Sequence, residues 1–378
     1  MPDYETLRFI WWALLGALLI GFVVTDGFDL GLGAIFRFVG RTDEERRALL
    51  EAVEPVWEGN QVWFVLAGGA SFAAWPLLYA TSFSGLYPAM FLVLAALILR
   101  PVGFTYRNKL RSARWRNTWD WALMAGGAVP ALLLGVAFGN LFLGVPFQFD
   151  ALARSVFTGE LVDLLRPFAL LVGVVSLSML VMHGAAYAAL KVEAPMGTRA
   201  AAAGRLAALI LLATFTVAGI WIATGIEGYA VTGSFDPNGA SNPLRKTVEL
   251  TAGAWLTNFH THPVLWVAPA IAYLGIASTW TALRAGRHGL AFLASSCAQI
   301  GVVSTGGIAL FPFLLPSSTM PNASLTVWDA SSSRLTLFIM LIATAFFLPI
   351  VIAYTAWVFR VLRGAVTLAH VREEDGGY

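Results

Sequence analysis

Charge is scarce in this chain: Asp, Glu, Lys and Arg make up 12% of its 378 residues, while 58% are hydrophobic. That is about half the charged share of an ordinary soluble domain, which excludes the soluble class and leaves a polytopic membrane protein. Cysteine is almost absent. One thiol, Cys297, excludes an intrachain disulfide and a thiolate zinc or iron–sulfur site, so redox compartment stays open; lying in an apolar segment, it reads as a small core residue. Histidine is nearly as rare, with five in all: His370 in the tail, His288 in a tight loop, His260 and His262 at a helix start, and only His183 within an apolar run. A haem ligand needs a buried His or Met, so one candidate gives thin support; His183 reads as a packed residue, and Met90, Met124, Met179 and Met340 as core filler. The net charge of +2 is spread along the chain without a basic stripe, which argues against a nucleic-acid partner. No P-loop, dinucleotide fingerprint, His-Glu-x-x-His or nucleophile arrangement is present.

What the chain has is long apolar runs. A span needs about 20 such residues, and nine are expected: 9–36, 57–80, 83–105, 119–143, 164–190, 200–224, 263–283, 290–313 and 335–360. The second and third are separated only around Ser82 to Gly85, so an eight-span alternative exists. With the N-terminus outside and the C-terminus inside, seventeen Lys and Arg fall in inner segments against six in outer ones. The positive-inside rule therefore favours nine spans, since merging two would blur the asymmetry. Trp11, Trp12, Trp57, Trp63, Trp119, Trp121, Trp221, Trp280 and Trp357 fall near span ends, as interfacial aromatics do. Only Arg8 precedes the first run, which reads as a retained span in a single integral-membrane domain, residues 1–378. The longer connections, 144–163, 225–262 and 314–334, are all expected outside, as ordered caps or docking surfaces.

Ionisable residues at membrane depth cost about 2.5–3.5 kcal/mol each on insertion scales and usually carry function. This topology gathers four at the inner end: Asp26 and Asp29 on the first span, Glu58 on the second and Arg100 on the third. Asp26 and Asp29 are three apart and share a face, and Gly21, Gly27, Gly31 and Gly33 let another helix approach closely. Carboxylates exchange protons and an arginine holds them together, so the cluster suits a proton entry path; a buried salt bridge tying three helices is the alternative, and the two can coexist. Asn60 and Gln61 can order water or act as interhelical glue. On these residues alone, a secondary transporter is the competing function, though the internal repeats common in that class are not seen.

Several segments resemble known ones. Tyr4-Glu-Thr-Leu-Arg-Phe-Ile-Trp-Trp12, Thr25-Asp-Gly-Phe-Asp-Leu-Gly31, Pro55-Val-Trp-Glu-Gly-Asn-Gln-Val-Trp63, Phe72-Ala-Ala-Trp-Pro76, Arg100-Pro-Val-Gly-Phe104, Arg114-Trp-Arg-Asn-Thr-Trp-Asp120, Gly135-Val-Ala-Phe-Gly-Asn140, Pro316-Ser-Ser-Thr-Met320 and Ala323-Ser-Leu-Thr326 are similar to signatures of subunit II of the cytochrome bd-type quinol oxidases. The resemblance implies an all-α subunit of nine transmembrane helices, two four-helix bundles plus a peripheral helix, in the bacterial inner membrane. It implies pairing with a homologous subunit I that carries two b haems, one d haem and the quinol-oxidising loop. The complex would oxidise quinol, reduce O2 to water and build a proton-motive force, with this subunit haem-free and contributing to the proton path. A structural quinone, small single-helix accessory subunits and lipid contacts remain open. Asp26, Asp29 and Arg100 match the family's acidic pair and third-helix arginine, while Glu58 stands where the motif often has Asp. Thr105 departs further, replacing a frequent acid in Gly103-Phe-Thr-Tyr-Arg107; a hydroxyl relays protons but cannot store one.

Overall fold

A computed structural model describes residues 1–369 except 151, 153, 234 and 363, so the expected inner charges Arg363 and Arg372 and the tail residue His370 lie outside the described residues. Helices dominate. The first apolar run forms α1 (Tyr4–Val24) and α2 (Asp26–Val39), separated only by Thr25, and together they make one span of 36 residues. The Thr25 hydroxyl donates back to the Gly21 carbonyl at 2.7 Å, a local competition that loosens a helix without breaking its course. A short polar helix, α3 (Asp43–Val53), follows; Thr42 and Glu45 form a reciprocal capping box that starts it sharply.

The second expected span is not one straight helix. It divides into α4 (Trp57–Ala74) and α5 (Pro76–Gly85), bent by 118° at Trp75. Pro76 supplies the reason, because proline disfavours helical geometry in the residue before it, and Trp75 adopts φ −134°, ψ 74°. The freed carbonyls of Ala73 and Ala74 are answered by Ser332, through its hydroxyl at 2.5 Å and its N–H at 2.8 Å.

The other spans follow their apolar runs: α6 (Tyr87–Tyr106), α7 (Ala113–Leu143), α8 (Pro167–Lys191), α9 (Met196–Thr224), α11 (Val267–Arg284) after the short α10 (Thr257–Thr261), α12 (His288–Leu310) and α13 (Arg334–Val361). Among the described residues, eight helices are long and apolar enough to cross a membrane, and α4 with α5 would supply a ninth. The chain is thus an all-helical membrane protein in its main body. Helices α1, α2, α4, α6 and α7 pack around one another, as do α8, α9, α11 and α12, and α2 and α7 join the groups through α8. The most exposed span is α13, which packs mainly on α1.

Glycine makes the central crossing possible. A Cβ on Gly31 would lie 1.8 Å from the Leu180 carbonyl oxygen, and one on Gly184 would lie 2.2 Å from the Leu32 nitrogen. Helices α2 and α8 therefore touch backbone to backbone, the close approach that small residues permit in membranes.

Each long connection folds into a two-stranded antiparallel hairpin: β1 (Phe147–Phe149) with β2 (Ser155–Phe157), β3 (Glu227–Val231) with β4 (Val248–Ala252), and β5 (Phe313–Leu315) with β6 (Leu325–Thr326). The hairpins lock to one another and to the N-terminus. Ser317 donates its hydroxyl to the Phe147 carbonyl, Lys246 pairs with Asp329 at 2.7 Å, and fully buried Arg8 reaches Ser331 and Ser241 and the Pro237 carbonyl. The connections form one ordered cap at the end of the molecule opposite α3.

Candidate functional site

Helix α2 carries Asp26 and Asp29 in its first turn, where α4, α6 and α7 converge on it. Both are buried, as are Arg100 on α6 and Asn60 on α4. Arg100 grips Asp26 with two nitrogens, 2.8 Å to one carboxylate oxygen and 3.3 Å to the other. Paired N–H contacts of this kind fix orientation as well as charge. Asp29 is held more loosely: its Oδ2 accepts from the Asn60 amide at 2.8 Å and stands 3.9 Å from Arg100. Its Oδ1 is buried and accepts nothing among the described residues.

Asp29 is also one of the residues lining a cavity of about 20 Å³, bordered by Arg100, Phe36, Phe104 and, from α3, Leu49 and Val53. A site needs roughly 10–15 Å³ for one water, so the space admits a single molecule. It runs from Asp29 toward α3, which roofs it. Chemically, one guanidinium faces two carboxylates, and uptake of one proton makes the group neutral.

The structure brings Asp26, Asp29, Arg100 and Asn60 together and leaves Glu58 and Thr105 outside the cluster. Both of those side chains are exposed. Helical phase explains Glu58: at 100° per residue, it points about 200° away from Asn60, so when Asn60 faces inward Glu58 faces outward. Azimuth, which an expectation of shared depth leaves open, separates this acid from the pair. Gln61 is half-buried beside it. Cys297, expected in the core, is exposed on α12. His183 is fully buried, with Nδ1 2.7 Å from the Ser295 hydroxyl and Nε2 3.0 Å from the Val24 carbonyl, its ring stacked 4.8 Å from Phe292. A carbonyl only accepts, so Nε2 carries a proton there, and both ring nitrogens are engaged.

Sequence reasoning missed a second ionic group at the α3 end. Asp120 on α7 and Arg107 after α6 are fully buried and joined at 2.6 Å; Arg46 of α3 binds the other Asp120 oxygen at 2.7 Å. Arg107 also reaches Asp43 at 2.8 Å, which Arg116 holds at 2.5 Å, while Glu45 ties α3 to α9 through Arg199 at 2.5 Å. The Glu45 carboxyl feels burial, which pushes it up, but the Arg199 guanidinium and the N–H groups of Arg41 and Thr42 outweigh it and hold it below its ordinary value. The signal lay in the sequence: Asp120 sits among Arg111, Arg114 and Arg116 at the mouth of a span, where an acid is worth asking about.

Comparison with known proteins adds to this geometry. The family described as cytochrome bd terminal oxidase subunit II matches residues 7–362. The cytochrome bd-I ubiquinol oxidase subunit 2 of Escherichia coli K12 is 50% identical over 367 residues, covering 97% of each chain. A probable cytochrome oxidase subunit 2 of Haemophilus influenzae is 48% identical over 364 residues, 96% of each. The bd oxidase structure from Geobacillus thermodenitrificans superposes with a TM-score of 0.70 at 18% identity, over 94% of this chain and 98% of that one, a likeness of fold.

Proposed function

The chain belongs to the cytochrome bd terminal oxidase subunit II family, and from that membership we propose that its buried Asp26–Asp29–Arg100 group carries protons to the oxygen-reducing partner. The protein is a membrane-embedded subunit of a quinol-oxidising oxidoreductase complex, and its partner is subunit I. That membership displaces the transporter alternative.

The observation that carries the proton-path reading is the imbalance at Asp29. Two carboxylates share one cation, and the less tightly held of them, with one oxygen unpartnered among the described residues, belongs to a residue that lines a water-sized space. A proton entering beneath α3 meets the cavity, then Asp29, then Asp26, while Arg100 keeps both acids in place. Glu58 extends the route outward. An exposed carboxylate at a span's first turn is expensive against lipid, so it belongs at a protein contact. The open space at Gly59, Gly68 and Gly69 along α4, with exposed Val62, Val65 and Phe72, suits close approach by the partner's helices. Thr105, exposed on α6, can pass a proton through its hydroxyl but not hold one.

The haems, two of b type and one of d type, belong in this reading to subunit I. His183 supports it, since binding a metal would require giving up one of its two internal hydrogen bonds. The haems supply electron transfer and oxygen reduction; this chain supplies position and protons. The Lys and Arg asymmetry supports nine spans, counting the bent α4 and α5 as one, with the N-terminus periplasmic and the C-terminus cytoplasmic in a bacterial inner membrane. The packing supports two four-helix bundles, α1–α2 with α4, α6 and α7, and α8 with α9, α11 and α12, plus peripheral α13.

Quinol-driven O2 consumption by the intact complex tests the path. Asp29→Asn and Glu58→Gln should each slow turnover while haem absorbance is retained. Wild-type turnover in both would reduce the group to a structural tie.

A further inference from the structure

A second feature lies on the exposed face where α9 and α11 run antiparallel. Between them is an apolar groove of about 250 Å³, lined by Ala208, Leu209 and Leu212 from α9 and by Ile276, Trp280 and Thr281 from α11. At its outer end Thr216 and Tyr273 close it, their hydroxyls 3.0 Å apart. The other end is cationic. Arg205 is three and four residues before Ala208 and Leu209, and Arg284 is three and four after Thr281 and Trp280, so both lie on the groove's own helix faces. A Cβ on Gly204 would meet the Leu283 side chain at 2.8 Å, which sets the two arginines at one level.

Side-chain direction staggers the two heads along the cationic end. A helical side chain leans toward its helix N-terminus. Arg284 accordingly lies over the Trp280 ring, 5.5 Å from its centroid. Arg205 leans the opposite way, toward the membrane surface, with its Nε buried and unpartnered. No carboxylate pairs with either arginine among the described residues, and residues 196–226 and 255–328 contain no Asp or Glu. Arg287 adds a further cation in the turn that follows.

We propose that this groove binds an anionic phospholipid, with one acyl chain along Leu209, Leu212 and Ile276 and the phosphate between Arg205 and Arg284. From Arg205 to Leu212 the groove runs about 10 Å at 1.5 Å per residue, the length of the upper part of one chain. Unpaired guanidinium groups at the mouth select negative charge, since a basic pocket between spans attracts acidic headgroups. Exposed Arg284 offers its N–H groups to the phosphate, and half-buried Arg205 adds its charge beside it. The assignment to the cytoplasmic leaflet rests on the orientation proposed above; the site itself does not.

The test uses the intact detergent-purified oxidase, titrated with phosphatidylglycerol or with phosphatidylethanolamine of the same chains and read by native mass spectrometry. Phosphatidylglycerol should bind at least about tenfold more tightly, and the Arg205→Gln, Arg284→Gln double variant should weaken it about thirtyfold. Thr281→Trp, which fills the groove from an exposed position, should weaken it with both arginines intact. Equal retention of the two lipids, or wild-type retention by the double variant, would overturn the proposal. So would displacement by millimolar inorganic phosphate together with no effect of Thr281→Trp, which marks a bare anion site. Because binding is read without turnover, a wrong proton path leaves this result untouched; leaflet-restricted lipid exchange in vesicles reads the orientation separately.

Discussion

Asp26 and Asp29 look alike in sequence, yet removing their charges should cost very different amounts of stability. Asp26→Asn breaks a two-point buried contact, 2.8 and 3.3 Å from Arg100, and leaves the guanidinium without its main counter-ion. Removing one partner of a buried pair costs about 3–5 kcal/mol. Asp29, 3.9 Å away, remains as a second counter-ion, so the loss should fall at the lower edge, about 3 kcal/mol. Asp29→Asn leaves the Asp26–Arg100 contact whole. Its carbonyl still accepts from Asn60, and its new amide can donate to a water in the cavity, so the stability loss should stay within about 1 kcal/mol. Thermal unfolding of the purified complex, followed by tryptophan fluorescence, separates the two. Asp26→Asn should lower the transition clearly and Asp29→Asn barely. Equal shifts would mean that Arg100 is shared evenly, and the division of labour between the acids would be refuted.

Other outcomes follow from the same geometry. Asp120→Ala should destabilise the complex by about 3–5 kcal/mol because it strands Arg107 and Arg46, whereas Asp43→Ala, with its side chain 37% exposed, should cost under about 1 kcal/mol; melting of both variants checks this. Glu45 is held below its ordinary value of 4.5, so its contribution is complete above that pH and is lost as pH falls through its lower folded value. Acid unfolding scans should therefore show Glu45→Gln less sensitive than wild type below about pH 4.5. Gly184→Val should prevent assembly, since its Cβ would fall 2.2 Å from the Leu32 nitrogen; normal yield of the complex would show that α2 and α8 can separate. Glu58→Gln should slow O2 consumption with little change in melting, because its side chain is exposed.

Much of this arrangement could be read from residues alone. Apolar length located the spans, because the bilayer imposes it, and the scarcity of histidine anticipated that His183 would be occupied by its own neighbours. The bend at Trp75 was written in the Trp-Pro step, but a hydropathy window averages across it. Glu58 was misplaced because topology gives depth and not azimuth, and Asn60 two residues on was the clue. Arg107 and Asp120 escaped notice for a different reason: the arginine entered only as a loop charge, and burial of such a charge depends on α3 folding over it. Thr42 and Glu45, spaced as a capping box, were the available sign of that helix. The hairpins of the cap are two to five residues per strand, too short for alternation to register, and their order comes from contacts between connections far apart in sequence.

The central claim is that protons for oxygen reduction pass through Asp29. Proton uptake during a single turnover of the fully reduced complex, followed with a pH indicator after O2 is admitted, measures that most directly. In Asp29→Asn the uptake phase should slow at least about tenfold and haem oxidation should slow with it, as loss of a proton-transfer group does. Uptake at the wild-type rate, with haem oxidation unchanged, would contradict the account.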